Sequence, residues 1–219
     1  MRRYAQIAFT EAVREVQAEE GGRRAAGRPA FGGEEPDPLG PHEAAFIAER
    51  DGFYFATAGE TGWPYVQFRG GPPGFVHVVD EGTLAYADVR GNRQYISNGN
   101  LRANDRVSLF FMDYPAQTRL KVFGRAAVRS LDEEPALAER VCARRTDGRV
   151  ERLVVIGVEA YSWNCAQHIP QRFTRADLEP LLNEIRSLRS DKAALEFEVA
   201  ALRKALEADG GRGAADPAG

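Results

Sequence analysis

Between Phe53 and Val158 short apolar runs alternate with turn-forming clusters. The runs are FYFATA, PYVQFR, GFVHVV, GTLAYA, RVSLFFM, RLKVFGRAAV and RLVVIGVEAY. Glu60-Thr61-Gly62, Gly71-Pro72-Pro73-Gly74 and Asp80-Glu81-Gly82 separate them, and such clusters reverse a chain. Only Arg93 to Asn98 and Glu133 to Arg144 read as helical interruptions. Closely spaced short strands with few helices predict an antiparallel barrel rather than an alternating parallel sheet. In RLKVFGRAAV, Leu120, Val122, Gly124 and Ala126 alternate with Arg119, Lys121, Phe123 and Arg125. One face is then core, and Lys121 looks out from the other.

The flanks follow different periods. Within residues 1–20, Phe9, Val13 and Val16 recur at helical spacing, which predicts one amphipathic helix over 4–19 that docks on something larger. Residues 21–41 are crowded with glycine and proline and read as a linker. The folded domain is expected at 42–173, opening with a helix over His42 to Glu49. From 174 to 208 Leu178, Leu181, Ile185, Leu188, Lys192, Leu195, Val199, Leu202 and Leu206 alternate steps of three and four, a coiled-coil heptad. Asp177 as N-cap puts Pro180 in the first turn, where its missing N–H costs little. With Ile185 and Lys192 at a, parallel chains would pair Glu184 with Arg189 and Glu198 with Arg203, and oppose Asp191 to Glu196. The same stripe also serves a helix lying along its own barrel. Residues 209–219 are expected to be disordered.

Composition narrows the partners. The 219 residues carry a net charge of -3, so no broad basic surface meets a nucleic-acid backbone. Two cysteines, Cys142 and Cys165, make no disulfide framework and fit a reducing cytoplasm. Three histidines without close spacing give no zinc site, and no metal is expected. The longest apolar run, near Leu153 to Val158, is far short of a bilayer span, and the acidic residues after Arg2 and Arg3 exclude a signal peptide. A cytoplasmic protein that does not bind membranes is expected.

Three segments carry candidate chemistry. In PYVQFRGGPPGF, Gly70 and Gly71 let a backbone approach a flat ligand while Arg69 offers a donor fork; the same composition also serves a tight loop with Arg69 solvated. In LAYADVRGNRQYISNGN the chain turns through Asp88 and Gly91 into a helix start carrying Arg90, Asn92 and Arg93, a seat for a phosphate or simply a helix start with surface arginines. In YSWNCAQHIPQRF, Trp163, His168 and Arg172 line a site, or Trp163 seals the core with a capped indole N–H. Cys142 and Cys165 lack a neighbouring base. Neither a G-x-S-x-G turn nor an H-E-x-x-H helix occurs, which moves redox chemistry or plain binding forward.

Taken together, WPYVQFRGGPPGF, YADVRGNRQYISNGNL, DYPAQTRLKVFGRA and WNCAQHIPQRF resemble the pyridoxamine 5'-phosphate oxidase superfamily of FMN-binding split barrels, and most closely its predicted flavin-nucleotide-binding group. The resemblance covers Ala44 to Phe173. It implies a mainly β fold, a six-stranded antiparallel split barrel that forms a homodimer with FMN in clefts between the subunits. By resemblance Gln67, Arg69, Gly70 and Gly71 meet the flavin ring, while Asp88, Arg90, Gly91, Asn92 and Arg93 form the phosphate turn. Lys121 takes a strand position of polar flavin contact, and Trp163 and Arg172 reach the flavin of the partner subunit. Arg69 or Lys121 would then balance the charge of the reduced flavin. The sequence departs from true pyridoxamine phosphate oxidases at Ala166-Gln167-His168-Ile169, where the family has a substrate-binding arginine, and R-G-N-R replaces S-R-K. The leading expectation is an FMN-dependent oxidoreductase acting on a small molecule, with His168 the one weak candidate for a catalytic group. The alternatives are a flavin-binding or sensing module without turnover, and a barrel that holds deazaflavin or haem.

Overall fold

Each of the seven runs forms a strand of one antiparallel sheet in the computed structural model, which describes residues 2–21, 35–145, 147–163 and 167–210. The strands are β1 (Gly52–Ala58), β2 (Pro64–Gly70), β3 (Val76–Asp80), β4 (Thr83–Val89), β5 (Arg106–Asp113), β6 (Thr118–Arg129) and β7 (Val150–Trp163), in spatial order β2-β1-β5-β6-β7-β4-β3. The fold is the mainly β, split-barrel type that the resemblance implies, with seven hydrogen-bonded strands where six were expected. Contacts divide the chain into two units, Met1–Gln171 and Arg172–Gly219.

Strands β2 and β4 stand near opposite ends of that order, yet Arg69 on β2 donates to Asp88 on β4 at 3.0 Å. The sheet therefore curls until its two ends meet along a seam. Alternation decides what lies inside. Phe53, Phe55 and Thr57 are buried on β1, and their cross-strand partners Arg69, Gln67 and Tyr65 share that side, because directly opposed residues of an antiparallel pair project together. Tyr54, Val66 and Phe68 project outward and are exposed. At the centre of an otherwise largely aliphatic core, Phe53 meets Phe111 and Phe75 face to face and Tyr86 and Phe55 edge-on, at centroid distances of 5.0 to 6.0 Å. Phe75 lies in the loop after β2 and Tyr86 on β4, so this aromatic cluster bridges the seam.

Helices α3 (Pro41–Ala48) and α5 (Pro135–Cys142) fall where the sequence predicts them. The N-terminal segment does not. It forms two helices, α1 (Arg2–Ala8) and α2 (Glu11–Glu19), because Thr10 is extended and its hydroxyl caps the second by accepting from the Val13 N–H at 3.4 Å. Only α1 docks: the Tyr4 ring stacks on Phe123 at 5.0 Å, and its N–H donates to Asp37 at 3.2 Å. Val13 and Val16 of α2 stay exposed. The end of the predicted linker is also part of the body, since Asp37 and Leu39 donate their N–H groups to Glu159 and Glu81 at 3.0 and 2.7 Å and Leu39 is buried. Residues 22–34 of that linker and the tail from 211 onward lie outside the described residues.

In the second unit, α6 (Arg175–Gly210) occupies the stretch expected at 174–208, but its cap lies earlier than Asp177. Thr174, not Asp177, is the cap: the two exchange bonds, with the Thr174 N–H and hydroxyl donating to Asp177 at 2.7 Å and the Asp177 N–H donating back at 3.2 Å. Pro180 consequently sits inside the helix rather than in its first turn. Among the described residues no helix is long and apolar enough to cross a membrane.

Candidate functional site at the barrel seam

The turn after β4 is built from polar residues in uncommon conformations. Asn92 accepts the Gln94 N–H on its side-chain oxygen at 3.1 Å, closing a local loop that delays the helix. Helix α4 (Ile96–Ala103) therefore starts at Ile96, three residues after the predicted Arg93. Arg93 and Tyr95 both adopt left-handed backbone, with φ of 64° and 51°. Such conformations cost residues with a Cβ about 1–2 kcal/mol each and concentrate where a site needs its backbone aimed. The first bond inside α4 runs from the Gly99 N–H to the Tyr95 carbonyl at 2.8 Å. The N–H groups of Ile96, Ser97 and Asn98 in the first turn have no acceptor within the helix.

These groups face strand β2 across the seam and enclose a cavity of about 190 Å³. It brings together Gln67, Arg69, Asp88, Gly91, Asn92 and Arg93, six of the residues picked out in the sequence. Tyr65, Gln94, Tyr95, Ser97 and Asn98 also line it. Ser97 donates its hydroxyl to the Gln67 side-chain oxygen at 3.2 Å, a second bond across the seam. Asp88 is buried and holds Arg69, accepts from Asn98 at 3.4 Å and lies 3.7 Å from Arg152. Three buried polar atoms of this cluster, Arg69 Nε, Asn98 Oδ1 and Arg152 Nε, have no hydrogen-bond partner. Buried groups of this kind are normally paired, so the wall has donor and acceptor capacity to spare. Arg90 does not line the cavity; it lies 3.7 Å from Glu151, which also accepts from Tyr95 at 3.1 Å and Arg152 at 2.6 Å.

The glycines at the end of β2 and in the loop after it have a different reason from the one expected. A Cβ on Gly71 would overlap the Arg145 guanidinium and lie 2.7 Å from the Phe75 ring. Arg145 is buried there, donating to the Gly70 carbonyl at 2.8 Å with its guanidinium 4.8 Å above Phe75. The missing side chain at Gly71 makes room for Arg145, not for a ligand. At Gly70 a Cβ would crowd the Phe68 ring at 3.1 Å. Gly91, in the turn itself, opens onto free space.

The remaining candidates lie elsewhere. Lys121 projects from the outer face of β6 with its ammonium 5.1 Å from the Tyr4 ring. The indole of Trp163 donates to Glu43 at 2.7 Å and packs on His42 and Phe46, which is the capped, core-sealing alternative. His168 is exposed in a turn with φ of 64°, and Arg172 is the first residue of the second unit. Burial pushes the Cys142 thiol up, away from the thiolate that a nucleophile needs. Cys165 and Ala166 lie outside the described residues. Sequence reading passed over Ser97 and Asn98, although both follow the turn directly; their signal was two small polar side chains at a helix start, beside unsatisfied N–H groups.

The Trp163–Glu43 bond makes a prediction. Burial works to raise the Glu43 carboxyl, but the bonds from Trp163, from its own N–H and from the Gly40 N–H outweigh it, and the group is held below its ordinary 4.5. A carboxyl depressed in the folded state stabilises fully above the unfolded value and loses that contribution as pH falls through the folded one. Glu43→Gln should therefore cost stability at pH 7, and its gap to the parent should close below about pH 4.5, read as urea midpoints at both pH values.

Comparison with known proteins gives the following. Residues 39–163 match the family described as pyridoxamine 5'-phosphate oxidase. HupZ of Group A Streptococcus aligns at 15% identity and a TM-score of 0.47, over 62% of this chain and 100% of that one. A putative pyridoxamine 5'-phosphate oxidase of Lactobacillus delbrueckii aligns at 22% and 0.44, over 57% and 93%. An FMN-binding protein of Syntrophomonas wolfei aligns at 12% and 0.46, over 71% and 96%. No curated protein matches.

Proposed function

The chain belongs to the pyridoxamine 5'-phosphate oxidase family, and from that premise we propose that it is a flavoprotein which binds FMN at the barrel seam and acts as an oxidoreductase on a small molecule. The observation that carries the reading is the turn from Asp88 to Asn98, where an arginine and a tyrosine in left-handed backbone precede a helix whose first N–H groups have no acceptor within it. Helix starts of this kind take anions, and Arg93 adds a charged donor. The residues present suit the group: Gly91 leaves open space for a phosphate, and Arg69 Nε and Asn98 Oδ1 are buried atoms still lacking partners.

In this reading Arg93 and the first turn of α4 hold the phosphate, and Gln67 with Arg69 orients the ring edge. Asp88 fixes the Arg69 fork by accepting from it, and Ser97 fixes Gln67 by donating to its oxygen. When bound, FMN supplies hydride transfer, and the protein supplies position and electrostatics. A cavity of about 190 Å³ is smaller than the roughly 300 Å³ or more usual for a ligand pocket, so one chain provides part of the site. A second copy would complete it, covering the exposed outer face of Tyr54, Val66 and Phe68. With two cysteines and no disulfide framework, we place the homodimer in the cytoplasm.

A second reading, a flavin-binding module without turnover, is favoured by Asp88, the one carboxylate in the wall, being bound to Arg69 and Asn98. Steady-state oxidation of NAD(P)H by the purified protein separates the two. The absorption spectrum of that protein, with the ligand released by heat and identified by mass, tests the cofactor. FMN is expected; a deazaflavin or haem spectrum would overturn the assignment. Arg93→Ala should weaken FMN binding roughly ten- to hundredfold, the value of one charge-assisted hydrogen bond, by fluorescence titration. Undiminished affinity would remove Arg93 from the phosphate.

A further inference from the structure

Helix α6 carries an apolar seam along its length. The leucines at d, Leu181, Leu188, Leu195 and Leu202, are each more than half exposed. With Ile185 at a, the a positions read Leu178, Ile185, Lys192, Val199 and Leu206. Leucine at every d, with β-branched Ile185 and Val199 at the a positions on either side of Lys192, favours two-stranded parallel coils, and a single polar a residue fixes register and strand number.

Charge selects the partner and its direction. The g positions Asp177, Glu184, Asp191 and Glu198 are all acidic, while e holds Arg189, Glu196 and Arg203. An antiparallel pair sets g against g, acid against acid throughout. A parallel pair of identical helices sets g against the following e, matching Glu184 with Arg189 and Glu198 with Arg203. The one unfavourable match, Asp191 with Glu196, surrounds the layer that holds Lys192. Within one helix the Lys192 ammonium already lies 3.6 Å from Glu196. In the parallel pair Asp191 of the other chain flanks the hole that receives Lys192, so two ammonium groups enter a layer with four carboxylates.

We propose that α6 pairs with α6 of a second copy of this chain as a parallel, in-register coiled coil, with the Lys192 layer setting its register. The pairing does not depend on the flavin reading.

The test uses the full chain with Cys142→Ser and Cys165→Ser, adding Leu181→Cys, Leu188→Cys, Leu195→Cys or Leu202→Cys one at a time and oxidising with copper phenanthroline. Successive d positions lie about 10 Å apart along a helix, beyond disulfide reach, so each reports its own layer. All four variants should form disulfide-linked homodimers, whereas Phe197→Cys, on the outward f position, should not. Cross-linking at a single central site would mean antiparallel helices and overturn the proposal. It also fails if none of the four cross-links, or if Phe197→Cys does so as readily as they do.

Discussion

Asp88→Ala should cost about 3–5 kcal/mol of folding stability, the price of leaving a buried cation without its anion. Asp88 is the common acceptor for Arg69 and Asn98 and sits beside Arg152, with Arg69 nearly enclosed. Removing the carboxylate leaves the Arg69 guanidinium, largely enclosed in the cavity wall, without its ion-pair partner. Arg152 keeps Glu151 and suffers less. The comparison that isolates the charge is the pair Arg69→Met with Asp88→Leu, which removes both ions and should recover most of the stability, though not the cofactor. Urea midpoints of the three proteins decide the matter. If Asp88→Ala unfolds within about 1 kcal/mol of the parent, the seam is not held by this ion pair.

Phe53→Ala should be as damaging for a different reason. Phe53 is fully buried, with Phe55, Phe75, Tyr86 and Phe111 around it, and truncating such a ring costs about 3–5 kcal/mol through lost transfer energy and the cavity left behind. Its neighbours come from β1, β4, β5 and the loop after β2, so the cavity opens where the barrel closes on itself. Arg69 pairs with Phe53 across β1 and β2, and the loss should loosen that side chain as well. Thermal unfolding of Phe53→Ala checks the size of the effect. A loss below about 1 kcal/mol would mean that the aromatic cluster is not what joins the two ends of the sheet.

The strands were legible because the pattern that reveals them is also what builds them. FYFATA alternates buried and outward residues, and PYVQFR pairs with it in the register that buries Phe53 and Phe55. Turn chemistry located the β1–β2 and β3–β4 hairpins for the same reason. What sequence alone did not carry were choices made by distant partners. Gly71 looks like a ligand cradle until Arg145, 74 residues later, is seen filling the space. Asp88 and Arg69 read as separate candidates, and only the seam shows that each answers the other. Competing local bonds misled the helix starts: Asn92 delays α4, Thr174 advances α6 past Pro180, and Thr10 cuts the N-terminal helix in two. In each case a side chain two or three residues away outbid the periodicity.

The strand order has a consequence for how the molecule assembles. Phe53 pairs with Phe111, and Thr83 with Gly157, so the sheet cannot form from neighbouring hairpins alone. Topologies dominated by such distant pairings fold in milliseconds to seconds. The seam is the last junction that the order permits, since β2 and β4 meet only after β1, β5, β6 and β7 are aligned between them. Strands β2 and β3, each hydrogen-bonded to one neighbour, will then be the first of the sheet to surrender their amide protons to deuterium, and a ligand held at the seam will slow that exchange while leaving β6 unchanged.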